Sequence, residues 1–277
     1  MSPTPQDIAA RRRAFRKLHE SGCFVIPNPW DAGSARYLKS LGFKALATTS
    51  SGSAWSHGHA DGAAALEEVL AHFRVIVAAT DLPVNADFEA GYAADPAGVG
   101  RNVQAAVDTG VAGVSIEDST GNESDPLRDV QAAVARMKAA RKAIDESGGD
   151  TLLVGRAENF IVNRPDLDDT IRRLKAYSDA GADVLYAPGI KTPEQISAVV
   201  KAVAPKPVNL LVGSASSLTM KEIAELGVRR VSVGGALARA AWGGFMRTAR
   251  QIAEEGRFDG FATAASGAEL NKLFRAP

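Results

Sequence analysis

Short apolar runs alternate along the chain with longer stretches whose apolar residues return at helical spacing. The runs fall at 23–26, 45–49, 83–86, 113–116, 152–155, 183–186, 208–212 and 230–233. Each is short, rich in branched residues and bounded by Gly, Pro, Asp or Ser, as a strand buried on both faces should be. Between them the spacing predicts helices over 66–80, 130–146, 168–180, 192–203, 218–226 and 236–255. Thr192-Pro193-Glu194 opens one of these with a capping residue and a proline in the first turn.

Leu41-Gly42-Phe43, Thr109-Gly110-Val111, Ala180-Gly181-Ala182 and Leu226-Gly227-Val228 share one punctuation. A glycine takes the left-handed cap of a helix, and the next apolar residue begins a strand. Eight such strand–helix units predict an α/β fold, a (β/α)8 TIM barrel, in preference to an open sheet. No linker or composition shift divides the 277 residues. The expected organisation is one barrel domain over 1–277 with a helical extension over about 237–277. In that tail, 268–274 reads as a short helix lying outside the barrel or on a partner.

Charge and cysteine content narrow the function. The chain has 32 basic and 32 acidic side chains, so it carries no electrostatic footprint for nucleic acid or an anionic membrane. A single cysteine excludes an internal disulfide, a Cys-x-x-Cys pair and a cysteine-rich zinc site, which fits a reducing cytoplasm. Met1-Ser2-Pro3-Thr4-Pro5 shows no signal-peptide pattern, and no stretch approaches the ~18–20 apolar residues of a transmembrane helix. A cytoplasmic protein is expected.

In a barrel, chemistry gathers where the strands end at their carboxyl side. The third strand runs into Asp87-Phe88-Glu89, the fourth into Glu117-Asp118, and the fifth into Arg156-Ala157-Glu158-Asn159. The seventh contains Asn209, and the eighth leads to Gly234-Gly235, a possible phosphate nest. Converging carboxylates need a cation, and oxygen ligands alone suit Mg²⁺ or Mn²⁺. Arg156 is a fixed cation suited to a carboxylate or phosphonate. A metal facing an arginine suits a small polyanion and the stabilisation of an enolate or similar oxyanion. Plainer roles stand beside these: Asp118 as structural, Glu158 and Asn159 as supports for Arg156, and Ser50-Ser51-Gly52 as an ordinary turn. Cys23 reads as a core residue, His19 and His72 as structural, and His57 and His59 as members of a solvated loop.

The run Pro83-Val84-Asn85-Ala86-Asp87-Phe88-Glu89-Ala90-Gly91-Tyr92 resembles the metal-binding strand of the isocitrate lyase/phosphoenolpyruvate mutase superfamily. Asn28-Pro29-Trp30-Asp31-Ala32-Gly33-Ser34-Ala35, Ser50-Ser51-Gly52 with Gly58-His59-Ala60-Asp61, Gly113-Val114-Ser115-Ile116-Glu117-Asp118 and Gly155-Arg156-Ala157-Glu158 resemble further superfamily segments in the same order. The resemblance covers nearly the whole chain. It implies a Mg²⁺-dependent (or Mn²⁺-dependent) barrel enzyme acting on a keto acid, hydroxy acid or phosphonate. By that resemblance Asp87 binds the metal directly, while Asp61, Glu89 and Glu117 hold its waters. Ser50, Ser51, Gly52, Trp30 and Arg156 would hold the substrate carboxylate, with Asn209 added as a further substrate contact. The resemblance also implies a homodimer or homotetramer that exchanges the eighth helix, about 237–255.

One departure bears on the reaction. Superfamily lyases carry a Lys-x-Cys-Gly-His loop after the fourth strand, whereas 119–128 holds no lysine, cysteine or histidine. Isocitrate-type cleavage is thereby disfavoured, and Asn122 is the residue left for phosphonomutase chemistry. Tyr186, Tyr92 or a metal-bound water would handle protons. The catalytic candidates are Arg156, Glu117, Asn122 and Tyr186. The leading expectation is a lyase that breaks a C–C bond through a metal-stabilised enolate, as in oxaloacetate decarboxylation. Phosphonopyruvate/phosphoenolpyruvate mutation or P–C hydrolysis, and a silent metal–carboxylate-binding barrel, are the alternatives.

Overall fold

The computed structural model describes residues 3–275. Eight parallel strands form one sheet in the order β1-β8-β7-β6-β5-β4-β3-β2. They are β1 (Phe24–Ile26), β2 (Leu46–Ala47), β3 (Val84–Asp87), β4 (Gly113–Glu117), β5 (Leu152–Arg156), β6 (Val184–Tyr186), β7 (Val208–Leu211) and β8 (Arg230–Ser232). Every apolar run of the sequence overlaps one of these strands, and no strand extends more than one residue past its run. The fold is the expected (β/α)8 barrel; exchange of a helix between subunits is a separate matter.

The barrel is seamed between β1 and β2, which share no ladder. Ala47 N–H donates to the Pro27 carbonyl across that gap at 3.0 Å. The buried Asn28 amide adds a second tie. Its Nδ2 donates to the Thr48 carbonyl (2.8 Å), and its Oδ1 accepts from the Val233 and Gly234 N–H groups (both 2.9 Å). The Gly234 N–H is therefore engaged by Asn28, which takes one of the two donors from the phosphate nest read at Gly234-Gly235.

Helices α1 (Pro5–Leu18), α2 (Ala32–Ser40), α3 (Ser50–Ser56), α4 (Leu66–Ala79), α5 (Pro96–Asp108) and α6 (Val130–Glu146) accompany the first half. Helices α7 (Leu167–Asp179), α8 (Pro193–Val203), α9 (Met220–Glu225), α10 (Ala236–Glu255) and α11 (Gly267–Arg275) follow. The main core lies between strands and helices, where Phe73, Ile116, Leu153, Tyr177 and Ile196 are fully buried. A second cluster fills the barrel itself, with Ile26, Val154, Val184 and Tyr186 around Phe15. Phe15 comes from α1 and plugs the barrel. A Cβ on Gly113 would meet its ring at 2.9 Å, so that close approach requires glycine.

Two expectations change. Ser50, Ser51 and Gly52 are the first turn of a helix rather than a loop turn, because the Thr49 hydroxyl caps it by accepting from Gly52 N–H at 3.3 Å. Cys23 precedes β1 and is half-buried against the core rather than inside it. The tail helix α11 lies outside the barrel on α2, with Phe274 against Gly33. Among the described residues no helix is long and apolar enough to cross a membrane.

Candidate active site

Strand register builds the site. Glu117 pairs with Arg156 across β4 and β5, and Arg156 pairs with Tyr186 across β5 and β6. Asp87 ends the next strand over, opposite Ser115. Three neighbouring strands thus deliver an acid, an acid and an arginine to one end of the barrel. Parallel pairing of short strands with matched ends leaves these side chains no other common destination.

Arg156 is held by three carboxylates. Its guanidinium nitrogens lie 2.6 Å from Asp87 Oδ1, 3.1 Å from Glu117 Oε2 and 3.0 Å from Glu158 Oε1. Below it, the Tyr186 ring centroid sits 5.1 Å from the guanidinium carbon, a cation–π stack. Asp87 is fixed further: its Oδ2 accepts from Ser50 N–H at 3.0 Å, and its own N–H donates to Thr48 Oγ1 at 2.8 Å. Glu117 Oε1 accepts from Ser119 Oγ at 2.6 Å. Burial pushes Glu117 above the ordinary carboxylate range, although Arg156 opposes it. Burial also raises Glu158, against the pull of Arg156.

Glu89 follows in a strained turn. Both Glu89 and Tyr92 have left-handed backbone, with φ of 44° and 51°, which side chains other than glycine adopt at a cost. The turn is locked by Tyr92 OH donating to Glu89 Oε1 at 2.6 Å, and by Glu117 N–H donating to the Glu89 carbonyl at 2.9 Å. Burial pushes Glu89 up to about 7, and the nearby Asp87, Glu117 and Asp61 add to the rise against the Tyr92 hydrogen bond. Asp61, ahead of α4, is raised by burial and by Asp87, with the Ser50 hydroxyl and Arg156 pulling the other way. Three carboxylates therefore hold the guanidinium, and two more, Glu89 and Asp61, rise chiefly through burial, with the neighbouring acid Asp87 adding to both.

That donor set suits a hydrated divalent cation. Mg²⁺ keeps several waters and uses one or two carboxylates directly. Among the described residues no three His, Cys, Asp or Glu side chains form a ready cage. By the family resemblance Asp87 would be the direct ligand and Asp61, Glu89 and Glu117 would hold its waters, and hydrated binding of that kind needs no closed cage.

The substrate candidates separate. Gly52 sits so close to its neighbours that a Cβ there would meet Thr49 at 2.7 Å, Trp30 at 3.1 Å and Ala238 at 3.3 Å. The first turn of α3 is thus pressed against Trp30, and Ser50 is bonded to Asp87 itself. Asn209 is not brought to the cluster. It is fully buried, its Nδ2 donates to Ser232 Oγ at 2.9 Å, and its Oδ1 accepts from Arg230 Nε at 2.8 Å. Asn122 also stays apart, at the exposed tip of a hairpin-like loop whose sides meet at Ser119 and Leu127. Its Oδ1 accepts from the Ser124 N–H and hydroxyl. Tyr186 lies beneath Arg156, and burial pushes its phenol up to about 12.

Asn28, Thr48 and Ser119 were not singled out in the sequence. Thr48 and Ser119 each act through one side-chain hydrogen bond and Asn28 through three, to distant or flanking strand ends, a signal that neither composition nor periodicity carries.

Residues 15–253 match the family model described as phosphoenolpyruvate phosphomutase. The chain belongs to that family. Its kinship with the isocitrate lyase/phosphoenolpyruvate mutase superfamily agrees with the motif resemblance, and its family and neighbours are lyases and mutases. One similar structure comes from Burkholderia cenocepacia J2315 and is described only as a candidate lyase/mutase. It is 47% identical, has a TM-score of 0.95, and matches over 98% of both chains. An oxaloacetate decarboxylase of Paraburkholderia xenovorans (strain LB400) is 30% identical over 83% of this chain and 76% of its own length. Oxaloacetate acetylhydrolase in complex with oxalate is 27% identical, with a TM-score of 0.83 over 96% of this phosphomutase-family chain and 94% of the other.

Proposed function

We propose that this phosphomutase-family chain is a Mg²⁺-dependent (or Mn²⁺-dependent) lyase that breaks a C–C bond in a small α-keto or hydroxy carboxylate, with oxaloacetate decarboxylation as the leading reaction. The observation that carries the reading is the crowding of acid at the barrel mouth: Asp87, Glu117 and Glu158 on Arg156, with Glu89 and Asp61 near enough to Asp87 to feel its charge. A metal bound by Asp87, with Asp61, Glu89 and Glu117 holding its waters, would supply Lewis-acid stabilisation of charge growing on the keto oxygen.

The chain's own residues do the rest. Arg156 binds the carboxylate next to the keto group, and Asp87, Glu117 and Glu158 hold its guanidinium in one orientation. Ser50 N–H is given to Asp87, Gly52 N–H to Thr49, and the Ser51 hydroxyl is shared with Thr49 Oγ1 at 3.1 Å, so Ser50 and Ser51 would turn to the substrate by exchanging these bonds. Trp30, whose Cβ packs against Gly52, would flank the substrate carboxylate beside that turn. In oxaloacetate the bond to the distal carboxyl breaks, CO₂ leaves, and the electron pair passes to the enolate of pyruvate. Protonation at carbon then completes the reaction. Decarboxylation needs no dedicated acid in the 119–128 loop, which has no lysine, cysteine or histidine. The relatives that act on oxaloacetate by name, a decarboxylase and an acetylhydrolase, support the same substrate class.

P–C chemistry on phosphonopyruvate is the second reading, favoured by the family model's own description. It places Asn122 at the reacting group, so the exposed loop tip would have to fold inward. A substrate panel with Mg²⁺, read for pyruvate and for phosphoenolpyruvate or phosphate, decides. Pyruvate from oxaloacetate supports the lyase, and phosphoenolpyruvate or phosphate from phosphonopyruvate supports the alternative. Tight oxalate binding without turnover on either substrate supports a silent barrel.

The assembly is proposed to be a homodimer or homotetramer. Helix α10 buries only Ala238, while Trp242, Phe245 and Met246 are exposed along it. Light scattering on the purified chain tests this, and a monomer at micromolar concentration refutes it.

A further inference from the structure

One face of α7 carries Asp169, Arg173 and Tyr177, each four residues from the last. Two of these side chains reach Asp118, the residue after Glu117. Asp118 Oδ2 accepts from Tyr177 OH at 2.5 Å and from Arg173 at 3.0 Å. Its Oδ1 accepts from Glu158 N–H at 2.9 Å, and its carbonyl accepts from Arg128 N–H at 2.9 Å. Arg173 also donates to the Arg128 carbonyl at 2.8 Å. Asp118 is 1% exposed and Tyr177 is fully buried.

Glu158 is the residue that fixes Arg156 Nε, at 3.0 Å. Asp118 thus holds the backbone of one Arg156 partner and directly follows a second, Glu117. The same carboxylate sits at the start of the 118–129 loop, and Arg173 holds the end of that loop. Asp169 anchors the lower part of the face: Arg173 Nε and Asn159 Nδ2 donate to its Oδ2 at 2.6 and 2.8 Å. Burial pushes Asp169 up, but these donors and Arg172 win and hold it at about 2.

We infer that Asp118, Arg173 and Tyr177 are positioning residues, through which α7 sets the orientation of Arg156 and the footing of the 118–129 loop. The inference rests on Arg156 as the substrate clamp, and its local geometry can be tested independently of any substrate. A loose outer helix would let Glu158 shift, and Arg156 would follow. Displacements well under 1 Å matter for a bidentate clamp.

The test uses Asp118→Asn and Tyr177→Phe in the full chain, with Leu174→Ala as the control. Leu174 is fully buried on α7 and belongs to the hydrophobic core. Crystal structures report whether Arg156 keeps its contacts with Glu158 and Glu117. Calorimetry with oxalate at saturating Mg²⁺ reports clamp function. Both variants are expected to displace the guanidinium and to weaken oxalate binding by ~10-fold. Leu174→Ala should lower the melting temperature at least as much, yet leave oxalate affinity within ~2-fold. Combining Tyr177→Phe with Arg156→Lys should cost less than the two changes summed, since both act on one group.

An unmoved Arg156 with unchanged oxalate affinity overturns the inference. So does an equal affinity loss in Leu174→Ala. If Asp118→Asn does not fold, Tyr177→Phe removes one hydrogen bond and carries the test. If the wild-type protein itself does not bind oxalate, the substrate reading fails instead, and the position of Arg156 in the variant crystals still decides this one.

Discussion

Two arginines of the barrel strands are treated in opposite ways. Arg156, at the carboxyl end of β5, is gripped by three carboxylates and stacked on Tyr186. Arg230, at the start of β8, meets neutral amides: Asn209 Oδ1 at 2.8 Å and Asn85 Oδ1 at 3.3 Å. Arg156 is held well above the ordinary arginine range, because its acid neighbours outweigh burial. Burial pushes Arg230 down to about 10. Depth alone does not mark the site, since Arg230 is buried and Arg156 only partly so. The mark is surplus charge: the mouth carries more negative charge than its arginine can neutralise, while the interior around Arg230 is arranged from dipoles.

The largest expected effect tests the surplus directly. Asp87→Ala should weaken Mg²⁺ binding by at least ~100-fold and reduce turnover to background, while circular dichroism shows a retained fold. A variant with normal metal affinity would end the metal assignment. Next comes Arg156→Lys, which keeps the charge but loses the planar fork; kcat/KM should fall ~10–100-fold, measured by pyruvate release from oxaloacetate. An unchanged value would show that the mouth needs only a point charge.

Arg230→Met should invert that pattern. The Asn209 and Asn85 oxygens lose a donor, so chemical denaturation should register a loss of about 1–3 kcal/mol, while kcat/KM stays within ~3-fold. A large loss of activity would mean that the two arginines work as one system. The smallest effect concerns pH. His19 is pushed down to about 3 by burial, helped by Arg230. The unfolded chain binds its proton near 6.5 and the folded chain only near 3, so stability is complete above 6.5 and falls as pH drops through that window. Melting curves from pH 7.5 to 5 should show a shallower decline in His19→Gln than in the wild type. Equal slopes would place the acid sensitivity elsewhere, with His72, pushed down to about 4, as the next group.

The fold was legible because each buried strand writes its own signature. Runs such as 113–116 and 152–155 are apolar and sharply bounded, and the strands lie within a residue or two of them. Helix α1 left no such mark: it buries a single residue, Phe15, and one contact makes no periodicity. The acids and Arg156 were legible because strand ends in a barrel share one destination. Glu158 could be seen as a support for Arg156, and its bond to Nε is that support. Asn209 misled because a polar residue in a strand can serve the barrel interior as readily as a ligand. Arg173 and Tyr177 were invisible, since they lie 55 and 59 residues from the Asp118 they hold.

The seam between β1 and β2 has a consequence for how the molecule breathes. Elsewhere neighbouring strands are joined by a ladder, and opening them means breaking several bonds in concert. At the seam one backbone bond, from Ala47 to Pro27, is joined by the side-chain amide of Asn28, which spans from Thr48 to Val233 and Gly234. The residues it ties lie beside Ser50 and Ser51, so the hinge of least resistance is also the wall nearest the expected carboxylate. The barrel is a hoop with its clasp at the door.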